Sequence, residues 1–188
     1  LDSFDEAVIN NYDETAVLIE KEILGNEISV DTIVENGIVY PCGISDRSFL
    51  KKDKYAIQTG SVTPSSLPVN IQSKIYEVMQ KAASALNVDN GAFKGDLIIK
   101  ENDDVGVIEF AGRTSGGFDS QYRKPLSFGI NIIKSVIDLS LGLEVDFSDL
   151  IPKWSKWSST FSVVTQAGSI SSINGFEECL KIDGVHKG

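Results

Sequence analysis

Residues 91–117, GAFKGDLIIKENDDVGVIEFAGRTSGG, set two apolar runs around the polar Asn102-Asp103-Asp104. Short apolar runs bounded by turn residues read as the two strands of a hairpin. Each run carries one carboxylate among apolar neighbours, Asp96 in the first and Glu109 in the second. An unpartnered buried charge costs several kcal/mol, so either Glu109 lies on an edge strand facing water or something offsets it. A turn at Asn102-Asp103 places Asp96 directly opposite Glu109, where Cβ atoms stand ~4.5–5.5 Å apart and like charges repel. Leu97 and Ile108 then point to the other face. A turn one residue later puts Ile98 opposite Glu109 but leaves both acids on one face. Two such acids call for a cation between them, and Mg2+ is commonly held by one or two carboxylates plus substrate phosphates. Arg113 shares the parity of Glu109 and is placed to grip a phosphate or carboxylate.

The 188-residue chain carries 17 Lys and Arg against 27 Asp and Glu, a net charge of −10. Such a surface repels phosphate backbones, which argues against a nucleic-acid partner but not against a small anion held by a few donors. Cys42 and Cys179 are the only cysteines, and neither has a Cys or His at ligand spacing. A disulfide scaffold and a zinc ribbon are therefore excluded, and a reducing, cytoplasmic setting is expected. His186 is the sole histidine and lies next to the end, which leaves no Ser-His-Asp or Cys-His unit. No apolar run reaches the ~18 residues of a membrane span, so no membrane partner is expected. The chain starts at Leu1 and stops at Gly188, and we read it as a piece of a longer protein.

Outward from the hairpin, residues 4–12 suggest a short polar helix, AVLIEKEI (16–23) a β-rich run and NEISVDTIV (26–34) a strand of period 2. Asn36-Gly37 between apolar runs is the strongest short hairpin signal. Residues 45–66 read as a long polar loop holding one strand, KYAIQTG (54–60). After Pro68, the spacing of Ile71, Ile75, Val78, Met79, Ala82, Ala83 and Leu86 predicts an amphipathic helix with Met79 as core filler. A second long helix follows from Leu126, Ile130, Ile133, Ile137 and Leu141. STFSVVT (159–165) and GSISSI (168–173) close the chain as short strands, with FEECL (176–180) a helical turn or two. Hairpins plus two long helices make an α+β fold with a mostly antiparallel sheet. Neither GxGxxG nor GxxxxGK[ST] occurs, so the two commonest phosphate-cradling loops are absent.

Taken in order, LIEKEILGNEISVD (18–31), GAFKGDLII (91–99), VIEFAGRTSGGFDS (107–120) and PLSFGINIIKSVIDLSLG (125–142) resemble the C-terminal half of the ATP-grasp fold. The likeness is greatest to carbamoyl-phosphate-synthase-like enzymes and amino-acid ligases, with biotin carboxylases and phosphoribosylamine–glycine ligases more distant. It covers residues 14–143, the expected C-terminal lobe (1–143). A weaker likeness through GSISSINGFEECL implies the start of a small β-rich subdomain (144–188). The resemblance implies ATP held between two lobes. Glu20 would accept from the adenine amino group, the backbone at Lys21 and Glu22 would read the ring edge, and Ile23 would pack on its face. Glu27 would take the ribose hydroxyls. Asp96 and Glu109 match magnesium ligands (Mn2+ being the other hard cation expected), and Arg113 matches an arginine on the reacting phosphate. Ser115-Gly116-Gly117 would lie beside the acyl substrate. Arg47 is either a phosphate or substrate contact or a plain surface arginine.

Many relatives carry Asn two residues after the glutamate as a further metal ligand, where this chain has Ala111; that implies altered coordination of a second metal. The N-terminal lobe, with the lysines that hold the α- and β-phosphates, is the expected partner and lies outside these residues, so the chain by itself is expected to show no turnover. The resulting expectation is an ATP-dependent carboxylate–amine (or carboxylate–thiol) ligase acting through an acyl phosphate on small-molecule substrates. A non-catalytic module of the same ancestry is the rival, but a relic has no use for a repulsive acid pair. A biotin carboxylase is a second rival, and TSGGFDS after Arg113 is short for its basic loop.

Overall fold

The computed structural model describes residues 3–9, 16–52, 55–166 and 168–186. A helix, α1 (Ser3–Ile9), comes first; the last turn expected for it, 10–12, lies outside the described residues. Residues 16–24 form no regular element, so the β-rich run at 16–23 is not a strand. Leu18, Ile19 and Leu24 stand exposed there. Strand propensity reflects fit to a pleated, half-buried surface, and these side chains have none to fit.

Six strands follow: β1 (Asn26–Glu35), β2 (Ile38–Lys52), β3 (Tyr55–Thr63), β4 (Gly91–Ile99), β5 (Val105–Ala111) and β6 (Ser158–Phe161). They pair antiparallel throughout in the order β5-β4-β1-β2-β3-β6. Asn36 and Gly37 both take positive φ (52° and 74°), the pair of left-handed residues that a two-residue hairpin with the strands' own twist requires. The polar stretch 45–66 is mostly strand rather than loop, because β2 runs on through Lys52 and β3 returns along it. Lys54, the expected first residue of that return strand, lies outside the described residues.

The helix predicted after Pro68 is α2 (Val69–Ala85). Ile71, Ile75, Met79 and Ala83 form its buried stripe and pack on Ile28, Val30, Phe93 and Leu97 of one sheet face. Met79 fills the space over Gly95, where a Cβ would come within 2.7 Å of its sulfur. Leu86 falls past the helix end and is exposed.

The second long helix is not continuous. A π-turn (Asp119–Arg123) leads into α3 (Lys124–Phe128), the chain breaks at Gly129, and α4 (Ile132–Ser140) resumes. Gly129 takes φ 72° and donates its N–H to the Pro125 carbonyl at 2.8 Å, a left-handed helix end. The face shifts with the break. Ile130 and Ile132 join Ile33, Cys42, Ala92, Val145 and Leu150 in a second core on the opposite sheet face, while Ile137 and Leu141 of the expected stripe are exposed. Beyond it a 3-10 turn (Phe147–Asp149) precedes β6. Of the two closing strands expected, one forms as β6 and joins the main sheet along β3; residues 168–173 form none, and the helical turn is α5 (Phe176–Cys179). Among the described residues no helix is long and apolar enough to cross a membrane.

The break makes a specific demand on Gly129. A Cβ there would lie 2.9–3.0 Å from the Trp154 indole, whose Nε1 donates to the Leu126 carbonyl. Gly129→Ala should cost about 1–2 kcal/mol from the left-handed backbone alone, read as a lower urea midpoint, with a shift in tryptophan fluorescence as Trp154 gives way.

Candidate functional site

The sheet face opposite α2 changes character along its length. Near the β1–β2 turn it is apolar and lies under α4; at the other end alternation puts Glu27, Ser29 and Asp31 of β1 on it. On neighbouring β4 the direct partners of these three are Ile98, Asp96 and Lys94. Asp96 in turn lies opposite Glu109 of β5. The expected pairing of the acids therefore holds, but through a different route. Near the turn the strands pair one residue off that register, and a bulge at Ile108 restores it. Leu97 points into the α2 core, whereas Ile108 is exposed rather than inward, because a bulged residue leaves the ladder.

The acid pair already has organic cations beside it. Lys94 Nζ donates to Asp96 Oδ2 at 2.5 Å and stands 3.8 Å from Glu109 Oε1. Arg47 Nη1 reaches Asp96 Oδ2 at 3.3 Å and Glu27 Oε2 at 3.5 Å, and its Nη2 donates to Gln58 Oε1 at 2.7 Å. Arg47 is thus no plain surface arginine; it joins Glu27 to Asp96. The repulsion that called for a metal is partly answered by protein groups. What remains is Asp96 Oδ1, a buried oxygen with no hydrogen-bond partner. Among the described residues no group of three or more His, Cys, Asp or Glu side chains converges on one point. A cation at Asp96 and Glu109 would therefore draw its other ligands from water or phosphate, as Mg2+ commonly does.

Glu20, Lys21, Glu22 and Ile23 are brought to the same face. With Leu24, Gly25 and Glu27 they line an open cleft of about 330 Å3, across from Ile98, Val107 and Ile108. Ile23 packs over Gly106, where a Cβ would come within 3.2 Å of its methyl carbon. Glu20, Lys21 and Glu22 are exposed. Gly25 closes the approach to β4, since a Cβ there would fall 2.2 Å from the Ile99 carbonyl oxygen. Arg113 is not placed by strand parity, because β5 ends at Ala111. It is exposed and donates to the Thr114 carbonyl at 3.2 Å.

Two parts of the arrangement escape a reading by motif. Lys94 carried a signal, lying two residues before Asp96 and so on its face. The other is a buried ion cluster behind the Ser115-Gly116-Gly117 loop. Lys124, fully buried, donates to Asp31 Oδ2 and, at 3.1 Å, to Asp119 Oδ2; Arg123 Nη2 meets Asp119 Oδ1 at 3.1 Å. Asp31 Oδ1 accepts the Ser115 N–H at 2.9 Å. Burial opposes the charge of Asp31, but the Lys124 ammonium and the bonds from Lys124 and Ser115 outweigh it and hold the carboxyl below its ordinary 3.8. Burial likewise opposes the charge of Lys124, and Asp31 and Asp119 outweigh it, raising the ammonium above its ordinary 10.5. Only the alternation that puts Asp31 beside Glu27 and Ser29 hinted at this cluster.

Comparison with known proteins bears on the family and the fold. A family model, the ATP-grasp domain, matches residues 2–121. Alanine–anticapsin ligase of Bacillus subtilis is 29% identical over 120 residues, which are 63% of this chain and 25% of that protein. The chain thus spans about a quarter of the length of the curated relatives it matches. The crystal structure of an L-amino acid ligase from Bacillus licheniformis superposes with a TM-score of 0.70 at 23% identity, over 82% of this chain and 39% of that one. A biotin carboxylase from Campylobacter jejuni, solved as a β,γ-ATP complex, gives 0.60 at 24% identity, over 74% and 30%. At these identities the structures share the fold.

The buried cluster sets a pH-dependent prediction. The contribution of Asp31 is present above about 3.8 and lost as pH falls through its lower folded value; that of Lys124 is present below about 10.5 and lost as pH rises through its higher folded value. Lys124→Met should leave Asp31 and Asp119 short of a partner and destabilise by about 3–5 kcal/mol at pH 7. Without Lys124, burial favours the neutral Asp31 carboxyl. The deficit relative to wild type should therefore shrink towards pH 4, as urea unfolding at both pH values will show.

Proposed function

The chain belongs to the ATP-grasp domain family, and we propose that it forms the C-terminal side of the nucleotide and metal site of an ATP-dependent ligase that joins a carboxylate to an amine through an acyl phosphate. One observation carries this reading: the line from the Glu20–Ile23 cleft through Glu27 and Arg47 to Asp96 and Glu109 is unbroken, and it ends on a buried carboxylate oxygen without a partner. The ligase relatives support the reaction class. The substrates are proposed only as a small carboxylate and a small amine.

In this reading the cleft takes the adenine. Glu20 accepts from its amino group, the backbone at Lys21 and Glu22 reads the ring edge, and Ile23, braced on Gly106, packs against the ring face. Glu27, held by Arg47, receives the ribose hydroxyls. Asp96 and Glu109 hold Mg2+ or Mn2+, with Asp96 Oδ1 as the ready ligand. The bound metal would neutralise charge on the transferring phosphate. Lys94 and Arg47 fix the Asp96 carboxylate from its other oxygen. Arg113, exposed on its long stem, turns onto the reacting phosphate, where a guanidinium fork matches the anion. No side chain needs to become a covalent nucleophile; positioning and charge neutralisation carry the reaction. The lobe outside this chain supplies the remaining phosphate donors.

The reading is tested in the complete protein. Glu109 is half-exposed, so Glu109→Gln should change unfolding free energy by no more than about 0.5 kcal/mol. The same substitution should cut ATP-dependent phosphate release at least ~100-fold, about 2.7 kcal/mol of charge stabilisation. Normal turnover in this variant would return Glu109 to a solvated edge residue. Ile23→Asp should weaken ATP binding more than ~tenfold by setting a charge against the ring. Calorimetry with unchanged affinity would remove the hinge assignment and favour a non-catalytic module.

A further inference from the structure

We propose that Asp31 is a positioning residue: its carboxylate fixes where the 113–118 loop stands relative to the Asp96–Glu109 pair. The tether follows from the geometry alone, while its catalytic consequence rests on the ligase reading above. The loop has no apolar anchor of its own, since Arg113, Gly116, Gly117 and Phe118 are all exposed. Its inward attachments are polar. The Ser115 N–H donates to Asp31 Oδ1 at 2.9 Å, and Ser115 Oγ meets Ser29 Oγ at 3.1 Å. Ser120 Oγ lies 3.0 Å from both Asp31 Oδ2 and the Ser115 carbonyl. Asp31 therefore holds the loop at Ser115 and again just past it at Ser120, and every group in this contact is buried.

The tether is tied to the acid pair by the sheet itself. Ser29 and Asp31 are the ladder partners of Asp96 and Lys94. Same-face neighbours on a strand stand ~6.8 Å apart, so the strand sets the distance from loop anchor to metal-side carboxylate with no flexible joint between. Lys124 has a different task. It neutralises Asp31, while Asp119, which it also meets, keeps Arg123 and the Ser45 hydroxyl. A neutral apolar pair of similar volume can replace the Asp31–Lys124 ion pair at little cost in stability. What an apolar pair cannot supply is an acceptor for the Ser115 N–H. Neutralisation and tethering are thus separable by mutation.

Two double variants of the complete protein separate them. Asp31→Leu with Lys124→Met removes the charges and the acceptor; Asp31→Asn with Lys124→Met removes the charges and keeps the acceptor. In the first, exchange of the Ser115 amide should quicken roughly 10–100-fold, the worth of a hydrogen bond to a charged group, while β1 and β4 amides keep wild-type protection. The second should retain slow Ser115 exchange. With MgATP and a mixture of the twenty common L-amino acids as the probe, kcat for phosphate release should fall in the first, with KM for ATP unchanged, and recover in the second. Unchanged Ser115 exchange in the first variant overturns the tether. Fast exchange with normal kcat overturns the positioning role. Should wild type release no phosphate with this mixture, the ligase reading fails for amino-acid substrates and the positioning role falls with it, while the exchange comparison by itself upholds or overturns the tether. If the Leu variant does not fold, Asp31→Val with Lys124→Met gives the same comparison.

Discussion

A carboxylate on a buried sheet face survives only beside a cation, and this constraint organises the half of the molecule opposite α2. Asp31 and Asp119 share Lys124, with Arg123 completing the set; Asp96 has Lys94 and Arg47. The cations come from β2, β4, the π-turn and α3, so neutrality on the sheet is reached only when segments distant in the chain have docked. The buried ions are then less a source of net stability than a set of placement constraints, since apolar groups could fill the same volume.

The two sheet faces divide the work. The α2 face is a continuous apolar core, and among the described residues none of its members lines the cleft. The other face grades from the α4 core to the acidic end, so a rigid apolar scaffold lies directly beneath and beside the polar groups. A site built on strands holds its geometry better than one built on loops. Glu27, Asp96 and Glu109 are strand residues; Glu20, Lys21, Glu22 and Arg113 are not, and these four are exposed.

The bulge at Ile108 links these two levels. Without it the register near the turn would carry through β5 and move Glu109 out of line with Asp96. With it, the acids oppose each other and Ile108 is turned out to the cleft wall beside Val107. One inserted residue thus serves both the acid pair and the apolar cleft, in keeping with the tendency of bulges to re-aim side chains at functional sites.

Local chemistry in the sequence determined the elements whose causes are local. Asn36-Gly37 required its turn, the stripe from Ile71 to Ala83 required α2, and period-2 alternation put Glu27, Ser29 and Asp31 on one face. The order of motifs identified the family, and the hairpin was legible, but Asp96 stands opposite Glu109 only because the bulge at Ile108 corrects the register near the turn. Other features were decided by tertiary contacts. AVLIEKEI has strand composition but no partner strand; the polar 45–66 stretch gained one and became sheet. The apolar period from Leu126 to Leu141 continues across Gly129, yet the chain breaks there and α4 presents a different face, because Trp154 and the left-handed turn outweigh periodicity. Lys94 and Lys124 read as ordinary cations, and Arg47 as either a phosphate or substrate contact or a surface arginine, until the fold sets each against a carboxylate. Charge compensation depends on distance in space, which a linear pattern does not encode.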